Sequence, residues 1–194
     1  MSVITRMVDI AAPAADLFKL SQDYDRRLRW DPFLRDARLL DGAQRAAVGV
    51  RAWCVAHNGL GMETTYVSFQ PPTVVAVKMT RGPHIISSFA GSWRFTELPS
   101  QSGSTCTRVV FRYQIAGRPR WLAFLLDPLL GAIFQLETQR RLLALKRAVE
   151  TTSILADIAV EPSSSDLTPQ WTNASPTAAD TTVRIGHDQG DIHG

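Results

Sequence analysis

One stretch constrains this chain more than any other: the run from Arg118 to Glu150. Its first half, Trp121 to Leu136, is apolar on nearly every side and is broken only by Asp127-Pro128. Its second half is amphipathic. Leu136, Leu142, Leu143, Leu145 and Val149 fall at helical spacing, with Arg140, Arg141, Lys146 and Arg147 on the other face. This predicts one long helix at the end of the folded part. Asp127 suits an N-cap and Pro128 a first helical position, so the helix is expected to restart or kink there.

The segments before it read as a run of strands. Val3 to Ile10 is the first, ended by Ala11-Ala12-Pro13. Pro13 then opens a short helix through Leu20, and a second short, basic helix spans Tyr24 to Trp30. It ends before Pro32, because the residue preceding a proline disfavours helical geometry. Strand candidates follow, separated by Asp41-Gly42, Asn58-Gly59, Pro71-Pro72, Arg81-Gly82-Pro83 and Pro99. In the later ones Phe89, Gly91, Trp93 and Phe95 share one face, and Val109, Phe111, Tyr113 and Ile115 another. Both faces are expected to look toward the long helix, since a half-solvated antiparallel sheet turns its apolar side inward. Arg51, Arg94 and Arg112 should point outward.

Composition sets the limits. The chain has 194 residues, 45% of them hydrophobic, enough for one domain with a sizeable core. Residues 1–150 carry 20 Lys+Arg against 12 Asp+Glu, whereas residues 151–194 carry one against six. A basic helix-and-sheet domain over 1–150 is thus expected to precede an acidic, Ser/Thr/Pro/Ala-rich tail over 151–194, disordered for want of large apolar residues. The basic excess is read as a solvated surface. No nucleic-acid partner is expected, and any membrane-surface contact, through Trp121 to Leu130 beside Arg118 and Arg120, should be weak. The N-terminus has no basic region followed by an apolar core, which points to a cytoplasmic protein. Cys54 and Cys106 are read as free thiols, and no Cys/His cluster implies a metal or other cofactor. Nothing in the sequence sets an oligomeric state.

The order of strand, two short helices, six strands and a long helix lets a curved antiparallel sheet wrap the last helix, with a cavity between them. Three motifs then carry a family resemblance: Ala11-Ala12-Pro13-Ala14-Ala15-Asp16-Leu17-Phe18 with Asp23, Arg29-Trp30-Asp31-Pro32-Phe33, and Gly91-Ser92-Trp93-Arg94-Phe95. Over residues 3–150 the chain resembles the polyketide cyclase/dehydrase-like members of the START-related (SRPBCC) superfamily. That resemblance implies an α+β helix-grip fold. It leaves open a carrier, an enzyme or a ligand sensor.

The expected ligand is a small hydrophobic or amphipathic molecule of lipid, polyketide or isoprenoid type. Its expected lining is Trp30, Phe33, Trp53, Tyr66, Phe89, Trp93, Phe111, Tyr113, Leu126, Leu130 and Phe134. A cyclase or dehydratase would need an acid–base group in that cavity, for which His84, Tyr113, Tyr66 and Glu63 are the candidates. A third reading is an interaction module without catalysis. No phosphate-binding loop, HExxH or GxSxG motif is present.

Overall fold

The computed structural model describes residues 2–99, 105–119, 121 and 123–159. Seven strands run β1 (Ser2–Ile10), β2 (Leu34–Leu39), β3 (Arg51–Ala56), β4 (Gly61–Gln70), β5 (Val74–Arg81), β6 (Ile86–Leu98) and β7 (Cys106–Gly117). The helices are α1 (Ala14–Gln22) and α2 (Arg27–Trp30) after β1, then α3 (Ala123–Thr151) and α4 (Ala156–Ala159) after β7. All strand pairs are antiparallel, in the order β1-β7-β6-β5-β4-β3-β2. The sheet curls around α3, so the α+β helix-grip architecture holds.

Turn chemistry sets the register. Asp41 and Gly42 adopt φ of 58° and 72° between β2 and β3, where a glycine is the least strained choice. At the β3–β4 turn Gly59 has φ of 87°, and the Asn58 side chain accepts from the Leu60 N–H at 3.0 Å. In the β6–β7 hairpin Trp93 lies opposite Phe111 and Phe95 opposite Val109, which stacks the inner aromatic face. Arg51, Arg94 and Arg112 are exposed, as alternation requires.

Helix α3 packs against β1 and β7. Gly131 brings it close to Ser2 and Ile4, and Gly117 lets Leu126 and Leu130 approach the end of β7. Its C-terminal part is tied to the end of β1: Lys146 Nζ donates to the Asp9 carbonyl at 2.6 Å, and Glu150 accepts from the Ala11 N–H at 3.0 Å. The core continues past Glu150. Ile154 is buried, and Asp157 pairs with Arg29 at 3.2 Å.

Several local expectations are corrected. Helix α3 runs through Pro128 instead of starting there. Asp127 is not its cap; its carboxylate accepts from the Gly117 N–H at 2.6 Å and so fastens the helix to β7. The second short helix begins at Arg27, because Asp23 draws the N–H groups of Asp25 and Arg26 into a turn at 3.0 Å each. Leu136 and Leu143 lie on the exposed face of α3, while Leu142, Leu145 and Val149 are buried. The tail from residue 160, with His187, His193 and the Asn173-Ala174-Ser175 sequon, lies outside the described residues, as does Arg120.

Leu145 is fully buried where α3 meets the core. Leu145→Ala is expected to lower stability by about 2 to 5 kcal/mol, through lost transfer energy and an unfilled hole, read from the urea midpoint.

Candidate functional site

A cavity of about 350 Å³ opens between the inner face of β3–β6, the segment after α2, and α3. That size suits a small organic ligand. Its walls are apolar over most of their area. Phe89 and Trp93 from β6, Phe111 from β7, Val77 from β5 and Phe134 from α3 enclose the body of it. These rings support one another: Trp93 and Phe111 have centroids 4.4 Å apart, and Phe134 sits 6.3 Å from Phe89 and 6.2 Å from Phe33.

One end is polar. There Asp31, at the end of α2, is fully buried between two arginines that line the cavity. Arg27 Nε donates to its carboxylate at 3.0 Å and Arg141 at 2.7 Å, while the other carboxylate oxygen accepts from the Phe33 N–H at 3.2 Å. Arg27 also donates to the Ser21 carbonyl. Aromatic faces hold both guanidiniums: Arg27 lies 4.9 Å from the Trp30 centroid, and Arg141 5.2 Å from Phe33 and 5.7 Å from Phe111. Burial works to raise the Asp31 pKa, but Arg141 and Arg27 outweigh it and hold the carboxyl below its usual range.

Beside this cluster the Tyr24 and Tyr66 hydroxyls are 3.0 Å apart, and Tyr66 donates to the Gln22 side chain at 2.9 Å. Burial pushes the Tyr66 phenol up to about 12 and Tyr24 well above its ordinary value. Both therefore stay protonated near neutral pH and act as hydrogen-bond groups. Burial also raises the pKa of Cys54, a free thiol on the cavity wall.

Of the residues expected to line a cavity, Phe33, Tyr66, Phe89, Trp93, Phe111 and Phe134 do so. The others do not. Trp30 is buried beneath Arg27. Trp53 stands on the outer face of β3, over Gly61, where any larger residue would strike its ring. Tyr113 lies behind the lining, stacked on Phe89; burial pushes its phenol up to about 12. Leu126 and Leu130 pack on Gly117 instead. Among the acid–base candidates, Glu63 sits outside, opposite Trp53, bound to Arg51 at 3.1 Å and Thr80 at 2.8 Å. His84 is exposed in the turn before β6. His57, exposed in the turn after β3, borders the cavity mouth.

Arg27, Asp31 and Arg141 were missed as site residues. A cue existed for Arg141: it is seven residues from Phe134, three from Thr138 and four from Leu145, all on the inner seam of α3. Among the described residues no cluster of His, Cys, Asp and Glu could hold a metal ion.

The fold is that of a helix-grip domain with an internal cavity. The model of the family described as polyketide cyclase / dehydrase and lipid transport matches residues 1–150, so the chain belongs to that family. No curated protein matches the chain. Solved structures share the fold at low identity. The Zhui aromatase/cyclase from Streptomyces sp. R1128 is 17% identical with a TM-score of 0.64, over 77% of this chain and 96% of that one. The protein TTHA0849 from Thermus thermophilus is 17% identical with a TM-score of 0.62, over 76% and 97%. A START superfamily protein from Mycobacterium smegmatis is 13% identical with a TM-score of 0.57, over 76% and 97%.

Asp31→Asn leaves the buried Arg27 and the half-buried Arg141 without their shared carboxylate. It is expected to cost about 3 to 5 kcal/mol at pH 7. Because the folded pKa lies below the unfolded one, the Asp31 contribution is complete above the ordinary carboxyl value of about 4 and fades as pH falls below it. Urea denaturation from pH 7 to pH 3 should therefore show a shallower acid loss in the variant than in the parent chain.

Proposed function

We propose that the chain binds one small amphipathic molecule in this cavity and acts as a carrier or receptor for it. The observation that carries the reading is the cavity itself, with a contiguous aromatic wall and the Tyr24, Tyr66, Arg27 and Arg141 side chains bordering it. Burying ligand surface there would contribute about 25 cal/mol per Å² before ordering costs.

A cyclase or dehydratase reading draws on the same polar end, where Tyr24 and Tyr66 could donate to a ligand carbonyl. The carrier reading is preferred because this end offers no free base: the phenols hold their protons, Cys54 is held as a thiol, and the Asp31 carboxylate is taken up by the two arginines. Native mass spectrometry of the purified chain, followed by organic extraction, should find a small-molecule adduct. Val77→Trp fills the cavity from the middle of β5 and is expected to lose the adduct at unchanged circular dichroism.

The outer face of α3 favours loading from a bilayer. Phe124, Leu125, Leu129, Ile133 and Leu136 are all exposed, Phe124 to 76%, and Trp121 precedes them, exposed to the same degree. Ile133 also borders the cavity, so the apolar face and the ligand site are continuous. Among the described residues no helix is long and apolar enough to cross a membrane, so contact would be at the surface. Leu125→Glu with Leu129→Glu is expected to lower co-sedimentation with phosphatidylcholine vesicles at least several-fold. Equal sedimentation of the two proteins would remove this membrane element.

A further inference from the structure

At the polar end of the cavity two guanidiniums meet one buried carboxylate. Arg27 and Arg141 share the single carboxylate of Asp31. The groups beside them, Tyr24, Tyr66, Gln22 and Thr138, are neutral. Glu137, one helical turn before Arg141, also lines the cavity, and its carboxylate pairs with the exposed Arg140 at 3.0 Å. An uncharged apolar ligand would displace water from this end and leave two guanidiniums with only the Asp31 carboxylate between them. A ligand with one oxyanion would supply a second acceptor.

The placement of the arginines fits such a head group. The Trp93 ring lies within reach of both guanidiniums, at 5.8 Å from Arg27 and 6.0 Å from Arg141. Both guanidiniums therefore lie against the aromatic wall. A molecule with its body between Phe89 and Phe134 would bring its head to this point. Asp31 fixes the orientation of both guanidiniums, so little ordering is left for the ligand to impose.

We propose that the ligand is an amphipathic monoanion, its carboxylate or equivalent oxyanion received by Arg141 and Arg27. The inference rests on the cavity reading above. Two fluorescent probes of one shape separate the two. 1-Anilinonaphthalene-8-sulfonate carries an anionic group, and N-phenyl-1-naphthylamine is the same body without it. Titrated into the full chain, the sulfonate is expected to bind with one-to-one stoichiometry and about tenfold or more tighter than the neutral probe, the scale of a hydrogen bond to a charged group. Arg141→Met should bring the two affinities together while the neutral probe changes less than about threefold, since the charge-assisted bond alone is removed. Equal affinities in the parent chain, or a preference for the sulfonate that survives Arg141→Met, would overturn the proposal and leave the cavity standing. Should Arg141→Met fail to fold, Arg141→Lys is read instead. It keeps the charge without the planar fork and is expected to retain only part of the preference; full retention counts against the proposal. If neither probe binds the parent chain, or both bind the Val77→Trp variant unchanged, the cavity reading falls and this inference with it.

Discussion

The geometry of this protein follows from a mismatch in width. Seven strands spaced about 4.8 Å apart make a sheet roughly 30 Å across, while a helix with its side chains is about 10 to 12 Å wide. One helix can lie flat on two or three strands. Helix α3 lies on β1 and β7, where Gly117 and Gly131 allow close approach. The inner faces of β3 to β5 are then left to be covered by curvature and by large side chains. Phe89, Trp93 and Phe111 reach into the space from the sheet and Phe134 from the helix, and the remaining volume is the cavity. The gap is thus a consequence of the architecture, and the sequence decides how much of it to fill.

Much of this was legible in the chain. Alternation identified the inner faces of β6 and β7, because both strands carry aromatic residues at every second position over a long run. It failed on β3. In Arg51-Ala52-Trp53-Cys54 the largest apolar residue marks the outer face, and the small Ala52 and the thiol of Cys54 turn inward. Bulk suggested that Trp53 belonged inside. The deciding partner was Gly61, diagonally across on β4, whose missing side chain makes room for the indole on the outside. Leu126 and Leu130 went astray for a related reason: they face the sheet, but at the contact with β7, where no void remains.

The polar end was hidden more deeply. A helix bearing Arg140, Arg141, Lys146 and Arg147 reads as having a solvated basic face, and Arg140 and Arg147 behave so. Arg141 differs only because Asp31, 110 residues away, lies buried beside it. Burying such a pair costs several kcal/mol per ion in desolvation, and apolar substitutes of similar volume are often as stable. Stability alone therefore gives no reason for the Arg27–Asp31–Arg141 cluster to be there. Its position at the end of an aromatic cavity supplies one, since charge held in place before binding needs no reorganisation when a ligand arrives.

Two features of the domain by itself are unfavourable together: an apolar volume that no side chain fills, and two guanidiniums held around one buried carboxylate. Each could be removed by substitution, the first by larger residues at Val77 or Ala56, the second by an apolar residue at Arg141. A domain that keeps both holds free energy that only binding can release. The linkage is quantitative, because a ligand present at a hundred times its dissociation constant stabilises the folded state by about 2.7 kcal/mol. On that scale occupancy would offset much of what the cavity and the charge cluster cost. The two penalties lie end to end in one space, so a molecule with an apolar body and a single charged head meets both at once. A molecule with only one of these parts would meet only one.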